Sequence, residues 1–310
     1  MNLTNDLLVS VILPTYNRAH LLRRSIQSIL DQTYQEFEII VVDDCSSDST
    51  EEVVKSFHDE RIRYIRNEKH MGAPFSRNVG IRVARGEYIA FQDSDDIWLP
   101  RKLAKQINAF KNGPKELGVV YTSFWRIEGN KGICIPQPNF KRSEGDVHEI
   151  LLETNFIGTP TAVVKKECFE KVGMFDEKLL RLQDWDLWIR ISKYYHFKHI
   201  NEPLAICYLQ HDSISRNINA YIQALKYIVE KHFEEMSKRP KALGRHYYEI
   251  GALLCLSGKM REGKSYFFKA VKTYPFRIKL LFSIVFSLIG QKMFNKVAAI
   301  YLSKILKREL

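Results

Sequence analysis

The segment VSVILPTYNR, residues 9–18, decides how the rest of the chain is interpreted. It begins with a mostly apolar, β-rich run from Val9 to Leu13, which is typical of a buried strand. Polar residues follow, and apolar residues then recur at helical spacing from Ala19 to Leu30. A second strand-like run, Phe37–Val42, comes next. The segment therefore opens a β-α-β unit.

The same alternation continues toward the middle of the chain. Further strands are predicted at Ile62–Ile65 and Tyr88–Phe91, and helices at Ser76–Ala84, Leu99–Phe110 and 184–195. The polar run Ser46–Thr50 should cap another helix ahead of Glu51. This pattern predicts an α/β fold with a parallel sheet, whereas residues 112–160 show no clear pattern. Since ligands bind at the carboxyl ends of parallel strands, the loops that follow them should converge on a site: Pro14–Arg18, Asp43–Ser49 and Asp93–Asp96.

Composition narrows the class of protein. The 310 residues are 45% hydrophobic and 27% charged, which is typical of a folded globular protein. The five cysteines form no CxxC pair, which argues against a zinc cluster or a disulfide scaffold. The start, MNLTNDLLVS, lacks a basic segment before an apolar core, and the apolar stretch Ile278–Ile289 is shorter than the roughly 20 residues of a spanning helix. We therefore expect a cytoplasmic protein without a transmembrane span.

The net charge of +11 is unevenly distributed. Residues 1–220 hold 29 Lys and Arg against 30 Asp and Glu, whereas residues 221–310 hold 18 against 6. We therefore expect an α/β domain over 1–219 and a basic helical module over 220–310, which would meet an anionic surface such as the inner face of the plasma membrane. The dispersed basic residues match no nucleic-acid motif, so no nucleic acid is expected as a partner. An ordinary basic surface remains the alternative.

The C-terminal module also contains a weak repeat signature. The residues that match the spacing of a tetratricopeptide repeat are Tyr247, Gly251, Gly258, Phe267, Ala270 and Pro275. The residues that follow fit that pattern poorly, so a generic helical hairpin is an equal alternative.

Clustered carboxylates are the strongest chemical signal. Three acidic clusters each lie at the end of a predicted strand or helix: Asp43-Asp44, Asp93-Ser94-Asp95-Asp96, and Asp184 with Asp186. Such groups repel one another unless a cation neutralises them, and Mg²⁺ or Mn²⁺ is commonly held by one or two carboxylates together with substrate phosphates. A single Asp would more often be a loop or capping residue, but three clusters together predict a site for a metal-bridged nucleoside diphosphate.

These motifs together resemble a known family. The segments that carry the resemblance are 9–18, Ile39–Asp44, Gly72–Gly80 with Arg77-Asn78, and Asp93-Ser94-Asp95-Asp96-Ile97-Trp98-Leu99-Pro100. In this order and spacing they resemble the family-2 glycosyltransferases of the GT-A fold, over about residues 8–215. The resemblance implies a Rossmann-like mixed sheet flanked by helices, with the helical C-terminal module outside it.

The resemblance also implies a nucleotide-diphospho-sugar donor, most often a UDP-sugar, and assigns roles to individual residues. The nucleotide-binding residues would be Pro14, Thr15, Tyr16, Arg18, Asp44, Arg77 and Asp93. Among them Asp44 would accept a hydrogen bond from the base, Arg77 would close over the base or diphosphate, and Asp93 would meet the ribose. Asp95 would hold the metal, Mn²⁺ or Mg²⁺, and His211 would reach the metal or the leaving diphosphate. A salt-bridging role for Arg77 and a structural one for His211 are the alternatives.

The later motif Gln183-Asp184-Trp185-Asp186 matches the segment in which an acidic pair opens a helix beside the acceptor site. The family usually has Glu-Asp where this chain has Gln183-Asp184. An acceptor hydroxyl is a poor nucleophile at neutral pH, and a positioned general base contributes roughly 10²–10⁴-fold to rate. We expect Asp184 to be that base and Asp186 to be structural. Trp188 is expected in the core, while Trp98 could pack in the core or stack on a sugar.

The predicted function is a metal-dependent, inverting hexosyltransferase-type enzyme that moves a sugar to a hydroxyl of a glycan or lipid-linked acceptor in cell-envelope polysaccharide biosynthesis. A sugar-nucleotide pyrophosphorylase would call for a glycine-rich loop after the first strand, and Pro14–Arg18 contains no glycine. A non-catalytic nucleotide-binding adaptor at the membrane surface is the other alternative. The presence of Asp93, Asp95 and Asp184 favours an enzyme.

Overall fold

The computed structural model describes residues 8–137, 140, 144–209 and 217–275. The chain forms two compact units, Met1–Ser213 and Ile214–Leu310. His211 and the apolar stretch 278–289 lie outside the described residues.

The first unit is built on one mixed sheet. Its strands are β1 (Val9–Thr15), β2 (Phe37–Asp43), β3 (Ile62–Arg66), β4 (Tyr88–Phe91), β5 (Ile97–Trp98), β6 (Leu117–Glu128), β7 (Lys131–Ile135), β8 (Ala162–Lys165) and β9 (His196–Tyr208). Their order is β3-β2-β1-β4-β8-β6-β9-β5, with β7 paired to β6. The first four are parallel, β8 runs antiparallel to β4 and β6, and β9 is parallel to β6.

Helices cover both faces of this sheet. Those of the first unit are α1 (Ala19–Leu30), α2 (Thr50–Lys55), α3 (Ala73–Val83), α4 (Lys102–Lys111), α5 (His148–Leu151), α6 (Lys166–Val172) and α7 (Gln183–Ile191), with a 3-10 turn at Thr159–Thr161. A mixed α/β sheet with flanking helices was expected from the family resemblance. The parallel pairing expected from the alternating pattern is present in β3-β2-β1-β4, whereas the antiparallel β8 makes the complete sheet mixed.

Strand β1 lies at the centre of the core because both of its faces are covered. All seven of its residues are buried, which explains its nearly continuous apolar sequence. Val9, Val11 and Leu13 belong to the same apolar cluster as Leu22 and Ile26 of α1. On α3, Gly80 packs so closely on Ile12 that an added Cβ would lie 2.5 Å from Ile12 Cγ2.

A single carboxylate joins the beginnings of α1 and α2. Asp48 Oδ2 accepts a hydrogen bond from Ala19 N at 3.0 Å, and Oδ1 accepts from Thr50 N at 3.1 Å and from Thr50 Oγ1 at 2.6 Å. The N-cap residue of α2, Ser49, makes no side-chain capping bond. Within the polar run that was expected to cap α2, Asp48 therefore supplies the helix-terminal contacts.

The second unit is helical in its described part. It contains α8 (Ile218–Lys231), α9 (Phe233–Ser237), α10 (Pro240–Leu256) and α11 (Met260–Thr273). Helices α10 and α11 pack as an antiparallel pair, in which an added Cβ at Gly251 or Gly263 would lie within 3.0 Å of the facing helix. Among the helices described here, none combines the length and apolarity needed to cross a membrane.

The packing of α3 on β1 leads to a stability prediction. We expect Gly80→Ala to lower the free energy of unfolding by about 1–3 kcal/mol, because the overpacking at Ile12 exceeds the gain in helix propensity. Thermal and urea unfolding would measure the change. Ile12→Ala removes the side chain that obstructs the added methyl group. The loss of unfolding free energy in the double variant should therefore be smaller than the sum of the losses in the two single variants. Simple additivity would contradict the proposed clash.

Candidate functional site

The site lies at the carboxyl edge of the parallel strands. The register pairs Thr15 of β1 with Asp43 of β2 and Ile12 with Phe91 of β4, so these strands end side by side. Asn17 N donates to Ser46 Oγ at 2.9 Å, and Ser47 N donates to Asn17 Oδ1 at 2.8 Å. Asn17 has a φ of 51°, a left-handed conformation that asparagine tolerates better than most residues. The loops after β1 and β2 are therefore joined directly, as the sequence predicted.

The two neighbouring aspartates after β2 have different surroundings. Asp43 is fully buried and accepts hydrogen bonds from Ser46 N at 2.8 Å and from Tyr64 Oη at 2.5 Å. Burial, together with the bond to this carboxylate, raises the pKa of the Tyr64 hydroxyl. Asp43 is thus part of the framework below the site, whereas Asp44 faces the next loop.

Asp44 organises the loop that leads into α3. Its Oδ1 accepts from Asn67 Nδ2 at 2.8 Å and from Met71 N at 3.0 Å, while Oδ2 accepts from Gly72 N at 2.6 Å. His70 Nδ1 lies 2.8 Å from the same Oδ2. A carboxylate has about four acceptor positions, so these four contacts saturate Asp44.

Tyr16 and His70 form an exposed ring pair above Asp44. Their ring centroids are 4.0 Å apart and their planes are inclined by 31°. Tyr16 is 42% exposed, and the His70 side chain is 54% exposed. The loop after β1 and the loop before α3 thus meet at the surface through two aromatic rings.

Arg77 is a buried cation with unused hydrogen-bonding capacity. Its Nη2 donates to Asp93 Oδ1 at 2.6 Å, and its guanidinium lies 5.6 Å from the ring centroid of Phe175. The side chain is only 5% exposed, yet Nε and Nη1 have no hydrogen-bond partner among the described residues. Unsatisfied buried donors of this kind are costly in an empty protein and are suited to an anionic ligand.

The acidic loop after β4 concentrates negative charge. Burial, and secondarily the neighbouring Asp93, raises the pKa of Asp95 to about 6. Burial, and secondarily the charge of Asp93, also raises the pKa of Asp96 well above its usual range. Asp96 Oδ1 accepts from Tyr208 N at 3.0 Å, which ties this loop to the end of β9. Arg24 Nη2 donates to Asp95 O at 2.6 Å, and the charges of Arg18 and Arg24 oppose the rise at Asp95.

This donor set fits a divalent cation shared with a ligand. Within the described residues, no group of three or more His, Cys, Asp or Glu side chains is arranged to hold a metal alone. The proximity of Asp93 and Asp95 nevertheless supplies hard oxygen donors whose repulsion a cation would relieve. Mg²⁺ and Mn²⁺ are commonly bound in this way, with phosphates completing the coordination.

Asp184 is separate from the acidic loop and is held mainly by neutral donors. Its Oδ1 accepts from Trp185 N at 2.8 Å and from Asn155 Nδ2 at 3.4 Å, and its Oδ2 accepts from Thr159 Oγ1 at 3.2 Å. Burial raises the pKa of Asp184, although these hydrogen bonds and the positive charge of Arg77 oppose the shift. Arg77 therefore acts electrostatically on Asp184 as well as bonding Asp93.

The neighbouring residues of α7 are structural. Asp186 is fully buried, and its Oδ2 accepts from Arg190 Nε at 2.9 Å. The guanidinium of Arg190 also donates to the carbonyl oxygens of Val172 and Met174, each at 2.7 Å. This arrangement agrees with the structural role expected for Asp186. Gln183 begins α7, where the family usually has an acid.

Both Trp188, which was expected in the core, and Trp98, for which stacking on a sugar was the alternative, lie in the core. Trp98 Nε1 donates to Pro160 O at 2.9 Å, and Lys102 Nζ lies 3.8 Å from its ring centroid. Trp188 Nε1 donates to Ile157 O at 3.0 Å. Both side chains are buried, so neither presents a face for stacking.

The structure thus brings most of the proposed nucleotide-binding residues to one edge. Pro14 and Thr15 end β1, and the buried Thr15 Oγ1 has no partner among the described residues. Arg18 lies immediately before α1, close enough for its charge to act on Asp95. The sequence did not identify several residues that contact Asp44, Arg77 or Asp184 in the structure. These residues are distant in the chain from the side chains they contact: Asn67, His70, Asn155, Thr159 and Phe175. Their residue types carry no local motif, so only the fold identifies them.

Comparison with known proteins defines the class. The model of Glycosyl transferase family 2 matches residues 10–173, just over half of the chain. The chain therefore belongs to glycosyl transferase family 2, and it is a glycosyltransferase. The resemblance inferred from the four sequence segments is confirmed.

One relative and two solved structures illustrate the similarity. UDP-Glc:alpha-D-GlcNAc-diphosphoundecaprenol beta-1,3-glucosyltransferase WfgD from Escherichia coli is 35% identical over 198 residues, which cover 64% of this chain and 74% of WfgD. S. aureus TarS 1–349, solved with UDP-GlcNAc, aligns with a TM-score of 0.67 at 19% identity over 96% of this chain and 92% of that one. In a longer TarS structure the match covers 50% of the TarS chain.

The second solved structure is the mannosyltransferase PcManGT from Pyrobaculum calidifontis, in complex with GDP-Man and Mn²⁺. It aligns with a TM-score of 0.57 at 18% identity over 96% of this chain and 87% of that one. At these identities the two structural matches establish the fold, which is the GT-A glycosyltransferase fold expected from the sequence.

Proposed function

We propose that this glycosyltransferase uses a UDP-sugar and a divalent metal to glycosylate a hydroxyl group with inversion at the anomeric carbon. The observation that carries the proposal is the position of Arg77. It bonds Asp93 on the acidic loop, acts electrostatically on Asp184, and has two buried N–H groups without partners. An anionic donor at this cation would lie between an acidic metal-binding loop and a separate carboxylate that is available as a base.

The residues of the carboxyl edge would hold the donor. The Pro14–Arg18 loop lines the nucleoside, Asp44 accepts a hydrogen bond from the base, and Asp93 meets the ribose. The unpartnered Nε and Nη1 of Arg77 bind the diphosphate. UDP is preferred because TarS was solved with UDP-GlcNAc and WfgD is named for a UDP-glucose donor.

Asp95 would hold the metal, Mn²⁺ or Mg²⁺, and His211 is proposed as a further ligand. PcManGT was solved with Mn²⁺, which supports a divalent ion in this fold. When bound, the ion supplies positive charge that stabilises the leaving diphosphate. The carboxylate of Asp95 provides a hard oxygen donor of the kind that such an ion prefers.

Asp184 would act as the general base. The acceptor oxygen attacks the anomeric carbon as its proton passes to a carboxylate oxygen of Asp184, and the bond from that carbon to the diphosphate oxygen breaks with its electrons on the diphosphate. A single displacement of this kind inverts the anomer. Hydrogen bonds from Trp185 N and Thr159 Oγ1 fix the carboxylate orientation, which favours attack from a defined direction. Burial raises the pKa of Asp184 and so strengthens it as a base.

The acceptor is proposed to be a glycan or a lipid-linked sugar of the cell envelope. The printed name of WfgD specifies a diphosphoundecaprenol-linked acceptor, and another relative, from Bacillus subtilis, is named a putative teichuronic acid biosynthesis glycosyltransferase. An acceptor of this kind would be presented at a membrane surface.

The second unit offers a surface for such a membrane. One face of α11 carries two basic residues and an aromatic one. Phe268 lies about two turns after Arg261, and Lys272 lies about one turn after Phe268, so the three side chains share this face. All three are exposed, and Phe268 is 63% exposed. A helix face that combines basic side chains with an exposed aromatic ring is suited to an anionic lipid interface. We therefore propose peripheral association with the inner face of the plasma membrane.

The base assignment predicts a separation of binding from chemistry. Asp184→Asn should leave UDP affinity nearly unchanged but lower the transfer rate by about two orders of magnitude or more, because the amide cannot accept the acceptor proton. In the wild type, kcat/KM should increase with pH through the raised pKa of Asp184. Calorimetry and a transfer assay would measure the two effects. Equal losses of UDP binding and transfer would contradict the role.

The metal assignment predicts the complementary result. Asp95→Ala should weaken UDP binding in the presence of Mn²⁺ by about tenfold or more, since the ion loses a carboxylate ligand, while affinity without the ion should change little. Asp184→Asn is the matched acidic control. If UDP affinity is the same with and without Mn²⁺ in the wild type, Asp95 does not hold a metal for this donor.

The membrane proposal predicts salt-sensitive binding to lipid. The full chain should co-sediment with phosphatidylglycerol vesicles at low salt, and Arg261→Glu/Lys272→Glu should weaken binding by about tenfold or more, because each basic side chain near an anionic surface contributes roughly 1 kcal/mol. Lys131→Glu/Lys178→Glu, with the same change of charge in the first unit, is the control. Equal binding of both double variants would overturn the assignment of this face.

A further inference from the structure

His70 has no role in the catalytic scheme, yet it contacts two residues that are proposed to bind the nucleoside, Asp44 and Tyr16. Its Nδ1 lies 2.8 Å from Asp44 Oδ2, and its ring lies against the Tyr16 ring, with centroids 4.0 Å apart and planes inclined by 31°. The proposed function places the base against these same two groups. An imidazole ring therefore uses the contacts that a nucleobase would need.

The chemistry of the two rings is closely matched. A base that binds Asp44 must be a flat heteroaromatic ring with an N–H group at its edge. Imidazole satisfies the same description, since a ring N–H can donate to the carboxylate while the ring face lies on an aromatic side chain. Because Asp44 already accepts four contacts, a further donor can bind only if one of them leaves.

His70 is the contact that can leave at least cost. Met71 N and Gly72 N are backbone donors that fix the loop before α3, and Asn67 is buried and also bonded to Ser76 Oγ at 3.1 Å. The His70 side chain is 54% exposed and can rotate into water without moving this backbone. Its departure would free one acceptor position on Oδ2 and the face of Tyr16 together.

We propose that His70 occupies the base position in the unliganded protein and that the nucleobase of the donor displaces it from Asp44 and Tyr16. This inference rests on the proposed donor site. Donor binding is then an exchange of one ring for another, and the measured affinity is reduced by the fraction of molecules in which His70 fills the pocket. The freed acceptor position on Asp44 Oδ2 then receives an N–H donor from the edge of the incoming base, such as the N3–H of uracil.

The affinity test compares two histidine variants by calorimetry with UDP and Mg²⁺. Removing the competing ring in His70→Ala should tighten UDP binding by about three- to tenfold. His196→Ala is the control, because His196 is an exposed histidine at the start of β9, on the opposite edge of the sheet. Its affinity should equal that of the wild type. Unchanged or weaker binding by His70→Ala would overturn the proposal, and weaker binding would indicate that His70 contacts the bound base.

A spectroscopic test follows the ring itself. The His70 Cε1–H resonance, identified by its absence in His70→Ala, should be shifted upfield by the Tyr16 ring and should move toward the free-histidine position when UDP is added. Tyr16→Ala should abolish the upfield shift before UDP is added. A resonance that stays shifted in the UDP complex would overturn displacement.

The proposed function can fail separately. If the wild type binds none of UDP, GDP and dTDP, the donor site is wrong and the exchange falls with it. If the wild type binds UDP but neither the affinity nor the resonance responds as stated, the donor site stands and the displacement of His70 is wrong.

Discussion

The in-register parallel pairing of β1 with β2 and β4 is the constraint on which the rest of the first unit depends. Because β1 is packed on both faces, a one-residue shift of its register would exchange the residues that face α1 with those that face α3 and would lose the fit of Ile12 against Gly80. With this register the carboxyl ends of the strands lie side by side. The loop that contains Asp44 therefore lies beside Tyr16, and the acidic loop after β4 lies beside α1. Ser25 Oγ of α1 reinforces this arrangement by donating to Asp93 O at 2.9 Å.

Charge compensation is the second constraint, and it explains why carboxylates can remain buried at this edge. A buried ionised carboxylate is costly unless it is paired or hydrogen-bonded. Arg77 pairs with Asp93, whereas Asp95 depends on more distant charges from Arg18 and Arg24, and its pKa is raised to about 6. The acidic loop is therefore incompletely neutralised by the protein, and a cation would complete the compensation.

The parts of the fold that were predictable are those with local signals. Helix α1 has the predicted bounds, Ala19–Leu30, because its apolar residues recur at helical spacing, and β4 agrees at Tyr88–Phe91. Strands β6 and β9 were not predicted, since their pairing joins residues distant in the chain and contains register shifts. The motif residues of the site could be assigned by resemblance, but the ring pair of Tyr16 and His70 depends on tertiary contact alone.

The two halves of the site differ in how their carboxylates are satisfied, and this difference bears on the order of events. Asp44 is saturated by protein donors that include His70, and Asp93 is paired with a buried cation. Among the residues that the structure describes, the donors to Asp184 are instead a backbone amide, a side-chain amide and a hydroxyl. In the proposed scheme the nucleobase must therefore replace an existing contact at Asp44, whereas Asp184, the proposed general base, loses no contact when an acceptor hydroxyl approaches. Since the charge of Arg77 reaches Asp184, a diphosphate bound to Arg77 without its metal would weaken that cation's hold on the negative form of Asp184 and raise its proton affinity. A divalent ion bound with the diphosphate would offset this effect, so the proton affinity of Asp184, the proposed base, would depend on whether the metal accompanies the donor.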